Sequence, residues 1–283
     1  MSLFWLCLRA ILLGMIEGIT EWLPVSSTGH LLLFEPFLSL KEEMSDAFYS
    51  FFLVAIQLGA ILAVFLLYFC RLNPWAKGKT EKERKDTLHL WGRVVVGMLP
   101  SAIIGILFDE WFETHLYGSF VIAFALILYG ILFILWERRQ EGRESFRLES
   151  VYEISFWDAL RIGCFQVLSL IPGTSRSGAT ILGGMLIGCS RVCAAEFSFF
   201  MAIPVMAGAS LLRFLRFTLS GAGVSSREIT LLLLGMLTAF LVSLAAIKAL
   251  MSYVRRHSFA LFGWYRIALG IVVIFFGVLQ FVA

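Results

Sequence analysis

The chain has 283 residues, 59% of them apolar and only 15% charged, with a mean hydropathy of +0.87. A soluble domain carries about a quarter charged residues, so this composition excludes a water-soluble globule and points to one helical bundle in a bilayer. The net charge of +3 is small, and no dense basic run sits among aromatics, which excludes a nucleic-acid surface.

The first apolar region, 3–39, begins without a basic leader and is followed by no small-x-small cleavage site, so it is expected to belong to the fold. A Pro/Gly/Ser/Thr-rich segment breaks it into two pieces, each expected to be too short to span. Next comes a full-length apolar stretch, 50–69. A shorter one follows at 94–108, long enough to cross if Trp91 and Gly92 extend it, and then a full one at 118–136. A bilayer core takes roughly 20 helical residues. The region 157–190 is broken like the first, and three further stretches close the chain at 196–215, 229–250 and 261–282. Broken pairs of this kind predict re-entrant hairpins, because irregular backbone at membrane depth persists only under cover of protein or a wet cavity. The expected fold is therefore an all-α polytopic membrane protein with six transmembrane helices and two re-entrant hairpins, in one domain over 1–283.

Basic residues concentrate in three connections. Arg71, Lys77, Lys79, Lys82, Arg84, Lys85 and Arg93 lie in 71–93, Arg138, Arg139, Arg143 and Arg147 in 137–157, and Arg255 and Arg256 in 251–259. The segment 109–117 instead carries Asp109, Glu110 and Glu113. With the basic connections in the cytoplasm, both termini fall outside. Trp5, Trp22, Trp75, Trp91, Trp111 and Trp136 fall near span ends, where interface anchors belong. The cysteines, Cys7, Cys70, Cys164, Cys189 and Cys193, lack metal-type spacing and are expected as small buried residues.

The two halves resemble each other at an offset of about 149 residues. Gly14-x-x-Glu17 precedes Pro24-Val-Ser26-Ser27-Thr28-Gly29, and Gly163-x-x-Gln166 precedes Pro172-Gly173-Thr174-Ser175-Arg176-Ser177-Gly178. Ser50-Phe51-Phe52 matches Ser198-Phe199-Phe200, and Gly97-Met98-Leu99 matches Gly235-Met236-Leu237. Each half, 1–141 and 142–283, reads as a hairpin plus three spans, so the second copy is expected inverted. Inverted repeats with interrupted helices place a site where the two breaks meet.

Chemistry concentrates in those breaks. Glu17 and Glu21 share one helix face, and two carboxylates at membrane depth call for a cation such as Mg²⁺, unless one is protonated or wet. Ser26, Ser27, Thr28 and Gly29 open a helix, which makes an anion site or a simple cap. Ser27 is a candidate nucleophile, with His30 as its base or as the acid for a leaving group. In the second break, Arg176 stands among Thr174, Ser175, Ser177 and Thr180, with Gly173 and Gly178 allowing close backbone approach. Its guanidinium either binds phosphate oxygens or pairs with Glu17 or Glu21. Gln57 and Glu196 are candidates for the surroundings of the site. Acid pair, arginine, two rows of donors and a histidine together suit phosphoryl transfer.

At these residues the chain resembles the undecaprenyl-diphosphatase family of the bacitracin-resistance type. The motifs of that family stand here as Glu17 to Glu21 with Ser26, Ser27, Thr28 and His30, and as Pro172 to Thr180, and the likeness covers nearly the whole chain. The resemblance implies hydrolysis of undecaprenyl diphosphate to the monophosphate and inorganic phosphate, recycling the lipid carrier for cell-wall synthesis. It implies a divalent cation, Mg²⁺ or Ca²⁺, and a site facing the outer side of the bacterial cytoplasmic membrane. Glu17 and Glu21 would bind the metal or act as acid–base groups, and Ser27 and His30 would lie at the reacting phosphorus. Arg176, Ser175 and Thr28 would hold the diphosphate. The expected partners are the polyprenyl lipid and the membrane, with a homodimer as an option and no nucleic acid. The inverted repeat keeps one alternative open, a transporter or flippase of a phosphorylated lipid.

Overall fold

In the computed structural model of the chain, residues 2–142 and 145–282 are described; Arg143 lies outside them, and for Asp109, Glu113 and 279–282 only the backbone is described. Among these residues the chain forms α-helices and no β-strand. In chain order they are α1 (Leu3–Thr20), α2 (Ser27–Leu38), α3 (Asp46–Leu67), a single turn α4 (Phe69–Leu72), α5 (Glu81–Leu116) and α6 (Ser119–Arg139). The second half continues with α7 (Phe156–Val167), α8 (Arg176–Leu186), α9 (Arg191–Leu219), α10 (Ser226–Val254) and α11 (Ala260–Val282).

Seven of them, α1, α3, α5, α6, α9, α10 and α11, are long and apolar enough to cross a membrane. The chain is a multi-pass membrane protein. Six of the seven are the expected spans. The seventh corrects an expectation: α1 was read as too short, yet it has 18 residues, about 27 Å of helix. Nothing between Leu3 and Thr20 interrupts its hydrogen-bond ladder, since Gly14 and Gly18 are held by packing. The other three arms have 12, 12 and 11 residues.

Both breaks fall where expected, at 21–26 and 168–175. Proline removes a donor and pushes the residue before it out of the helical region. Ile171, before Pro172, is accordingly extended. A second correction concerns α5. The basic residues from Lys82 to Arg93 are not in a loop but on its first turns, because Thr80 and Glu83 form a reciprocal cap at residue 80 and Lys85 pairs with Glu81. Hydropathy sees only the apolar part of a helix that continues into water. All five cysteines are free; Cys189 and Cys193 are buried, but Cys70 and Cys164 are exposed, against expectation, because they lie on outward faces of short helices.

Helices of one half pack on helices of the other. α1 lies on α10, α7 on α5, α3 on α9 and α6 on α11. Glycines set the closest crossings, because small residues let membrane helices approach until their backbones touch. A Cβ on Gly14 would stand 2.5 Å from the Gly235 carbonyl oxygen, and one on Gly163 would collide with the Gly97 carbonyl. Gly130 and Gly263 face each other across α6 and α11 in the same way, at 2.6 and 2.7 Å. At the end carrying the basic connections, ion pairs tie the halves together: Arg71 to Glu196 at 2.5 Å and Arg191 to Glu137 at 2.6 Å. At the opposite end Arg227 pairs with Glu43.

Gly14→Val and Gly163→Val should each destabilise the bundle by about 2 kcal/mol or more through overpacking. Gly208→Ala, where a Cβ meets nothing within 4 Å, should leave the thermal midpoint in detergent unchanged or slightly raised. An unshifted midpoint for Gly163→Val would contradict the backbone-to-backbone crossing.

Candidate functional site

Each break restarts as a helix on a serine. The Ser26 hydroxyl accepts from the Gly29 N–H at 3.3 Å, and the Ser175 hydroxyl from the Gly178 N–H at 3.2 Å. These serines have φ of 73° and 70°, and among the described residues no other non-glycine residue has positive φ. Left-handed backbone costs an L-residue on the order of 1–3 kcal/mol and persists only where packing holds it. The strain serves the amides that follow. The N–H groups of Ser26, Ser27 and Thr28, and of Ser175, Arg176 and Ser177, have no acceptor among the described residues. A helix N-terminus with unpaired N–H groups suits an anion.

The two breaks touch. The Ser177 hydroxyl donates to the Leu23 carbonyl at 3.2 Å. Arg176 Nη2 holds Glu21 at 2.7 Å, and its Nη1 donates to the Ser198 carbonyl on α9 at 2.7 Å. Thr180 shares a 2.6 Å hydrogen bond with the Ser198 hydroxyl and donates to the Arg176 carbonyl. The Arg176 guanidinium lies over the Trp22 ring, 5.6 Å from its centroid, which adds a cation–π attraction. Arg176 Nε has no partner and remains free to donate.

Glu17 is fully buried beside Glu21 and Gln57, yet among the described residues neither of its carboxylate oxygens makes a well-aligned hydrogen bond or an ion pair. A buried carboxylate without a partner is expensive, so this position fits a cation. Among the described residues no three His, Cys, Asp or Glu side chains surround a common point. A divalent ion held here would complete its shell with phosphate oxygens and water, as Mg²⁺ does.

His30 sits one turn into α2. Its Nδ1 lies 2.7 Å from the Ser26 carbonyl, which only accepts, so Nδ1 carries the proton. That leaves the lone pair of the neutral ring on Nε2, where the Tyr265 hydroxyl donates at 2.6 Å with the rings stacked. No hydrogen bond joins Ser27 to His30. The Ser27 and Thr28 hydroxyls, half-buried, have no hydrogen-bond partner among the described residues.

Likeness to known proteins bears on this arrangement. Residues 10–272 match the family model described as Bacitracin resistance protein BacA. The chain belongs to that family. It is 51% identical over 278 residues to the undecaprenyl-diphosphatase of Streptococcus mutans, covering 98% of each chain. To the undecaprenyl-diphosphatase of Enterococcus faecalis it is 53% identical over 269 residues, 94% of this chain and 95% of the relative. To that of Limosilactobacillus fermentum it is 49% identical over 267 residues, covering 94% and 96%.

In this BacA-family chain the two breaks meet directly where Glu21 holds Arg176 and Leu23 accepts from Ser177, and Gly173 and Thr174 share Arg266 with Pro24. Glu17 and Gln57 lie beside Glu21, and Thr180 lies beside Arg176 with Ser175 next to Ser177. Ser26, Ser27, Thr28, Gly29 and His30 cap and open α2, where His30 meets Tyr265. Glu196 stands apart, because it projects from the opposite side of α9 to Ser198 and pairs with Arg71. Trp22 is not an interface anchor either. It is fully buried, packed edge-on against Phe199 with centroids 5.3 Å apart, because the break turns it inward beside Arg176. Ser198, Tyr265 and Arg266 were missed. Arg266 carried a signal, being a lone charge inside the apolar stretch 261–282. Ser198 stood out only through its repeat match with Ser50, and Tyr265 carried none, since it does not stand out in a helix of its composition.

Tyr265→Phe should remove the donor to His30 Nε2, cost about 1 kcal/mol in stability, and lower turnover by much more than that stability change implies. Thermal melts and initial rates on the same preparation check this, and unchanged turnover would separate Tyr265 from the chemistry.

Proposed function

We infer that the chain is an integral membrane phosphatase that hydrolyses undecaprenyl diphosphate to undecaprenyl phosphate and inorganic phosphate, recycling the lipid carrier for peptidoglycan synthesis. The observation that carries this reading is the meeting of two helix N-termini with Arg176 and an unpartnered Glu17 inside a membrane-type bundle. Relatives of about half-identical sequence and equal length bear that activity in their names.

The diphosphate lies between the first turns of α2 and α8. Backbone N–H groups of both turns and Arg176 Nε–H donate to its oxygens. Glu17, with Glu21 beside it, would hold a divalent cation, Mg²⁺ or Ca²⁺, which would supply positive charge to neutralise the phosphates. Either the Ser27 hydroxyl attacks the terminal phosphorus, the bridging P–O bond breaks toward the lipid monophosphate and water then hydrolyses the phosphoseryl ester to free phosphate, or a water held by Ser27 attacks directly and phosphate is released in one step. His30 Nε2 moves the proton, with its ring fixed by Ser26 at Nδ1 and by Tyr265 at the reacting nitrogen. An apolar groove of about 520 Å³, lined by Ile19, Leu23, Ala245, Ala246, Ala249 and Phe262, begins at Leu23 and suits a hydrocarbon chain.

The two halves, 1–141 and 142–283, are inverted copies whose broken helix pairs enter the bundle from opposite sides. This is supported by the reciprocal crossings, α1 on α10 and α7 on α5, each at the matched glycines, and by the matched serine caps. The basic connections lie in the cytoplasm of a bacterium, and the site faces the outer side of its inner membrane.

Inorganic phosphate release from undecaprenyl diphosphate tests this, using the purified chain in detergent with Mg²⁺, with chelator, and for Arg176→Ala, Glu21→Ala and Ser27→Ala. Turnover should require the metal and fall by about 100-fold or more in each variant. No release by folded wild type, with lipid binding still lost in Arg176→Ala, would point to transport of the lipid instead.

A further inference from the structure

Arg266 on α11 is fully buried, and among the described residues no carboxylate lies within ion-pair range of it. Its donors go to backbone carbonyls of both breaks. Nη1 reaches Pro24 O at 3.1 Å, and Nη2 reaches Gly173 O at 2.8 Å and Thr174 O at 2.9 Å. Nε approaches Leu126 O on α6 at 3.5 Å, and the Tyr129 ring lies 5.5 Å from the guanidinium carbon. A residue kept only for packing would not bring a charge into this interior, since an apolar side chain of similar volume is as stable or more so.

We propose that Arg266 is a positioning residue for the diphosphate site, gathering the carbonyls of both helix breaks onto one guanidinium so that their N–H groups face the anion. The inference rests on the phosphatase reading for its substrate. Its geometry follows from the peptide unit: in a trans peptide the C=O and N–H point in opposite directions. Where the Thr174 carbonyl turns onto Arg266, the Ser175 N–H turns away from it, and that N–H has no acceptor among the described residues. The contacts to Pro24 and to Gly173 and Thr174 also fix the spacing between the two helix starts, one from each break.

Charge adds a second effect. A Cβ on Gly178 would stand 3.1 Å from Arg266 Nη1, so the guanidinium lies behind the first turn of α8. A full positive charge there reinforces the partial positive charge of the helix N-terminus. Carbonyl dipoles and the Tyr129 ring, with no carboxylate among the described residues, offset it, so its field remains available to an anion on the far side of the turn. Arg176 binds from the front, and Arg266 acts through the backbone from behind. A lysine would keep the charge but lacks the planar fork that spans three carbonyls from two segments.

The test uses the full chain in detergent as wild type, Arg266→Lys and Arg266→Gln. Methylene diphosphonate, a diphosphate that is not hydrolysed, serves as the binding probe through its effect on the thermal midpoint. kcat and KM for undecaprenyl diphosphate are measured beside it. Diphosphonate affinity should fall about tenfold in Arg266→Gln and less in Arg266→Lys, and kcat/KM should fall in both by a larger factor than affinity. A folded Arg266→Gln with wild-type diphosphonate affinity and wild-type kcat/KM would overturn the proposal. Loss of the fold in both variants would also overturn it, making Arg266 a stability residue. If wild type binds diphosphonate but releases no phosphate, the phosphatase reading fails, and the binding arm alone decides the role of Arg266.

Discussion

A helix interrupted inside an apolar bundle leaves backbone amides with nowhere to go, and much else in this structure answers that constraint. In water such groups would be solvated. At membrane depth each unpaired group costs several kcal/mol, by the usual order of magnitude. The chain carries two interruptions and brings them together, so the carbonyls of both find Arg266 and the hydroxyl of Ser177. The first N–H groups of both helix starts are left without an acceptor among the described residues. What is a liability for each segment alone suits both to an anion.

Holding these helix starts in place requires stiffness around them. The strained φ of Ser26 and Ser175 would relax in a loose loop. Here Gly173 sits so close to the Ile122 carbonyl that a side chain would collide with it, and Gly29 packs under Leu126. The helices behind the breaks are clamped in turn by glycine crossings, α1 onto α10 and α7 onto α5. Ion pairs between the halves at both ends of the bundle limit sliding along those crossings. The precision of the site thus comes from contacts made far from it in sequence.

The buried charges divide into two kinds. Arg176 and Glu21 satisfy each other and also orient Trp22, Ser198 and Thr180 around them. Among the described residues Glu17 and Arg266 make no ion pair, Glu17 lying beside Glu21 and Arg266 holding carbonyls of both breaks. A protein without a ligand here would gain by removing both. Keeping them makes sense where an anionic substrate and a cation arrive together, because each then supplies the partner that the fold withholds.

The sequence by itself determined the bilayer setting, the places of the spans and the two breaks, because these follow from local hydropathy and from proline, glycine and serine at fixed positions. It also marked most residues of the site, since Glu17, Glu21, His30 and Arg176 are conspicuous where almost everything else is apolar. The length of α1 and the reach of α5 into water were not legible, because packing and a capping pair, not hydropathy, set those ends. Only the tertiary structure decided that Arg176 takes Glu21 rather than Glu17, that Trp22 turns inward, and that Glu196 belongs to the far end of the bundle. It alone brought Ser198, Tyr265 and Arg266 to the breaks. Those choices depend on which faces of distant helices meet, and local composition carries no record of that.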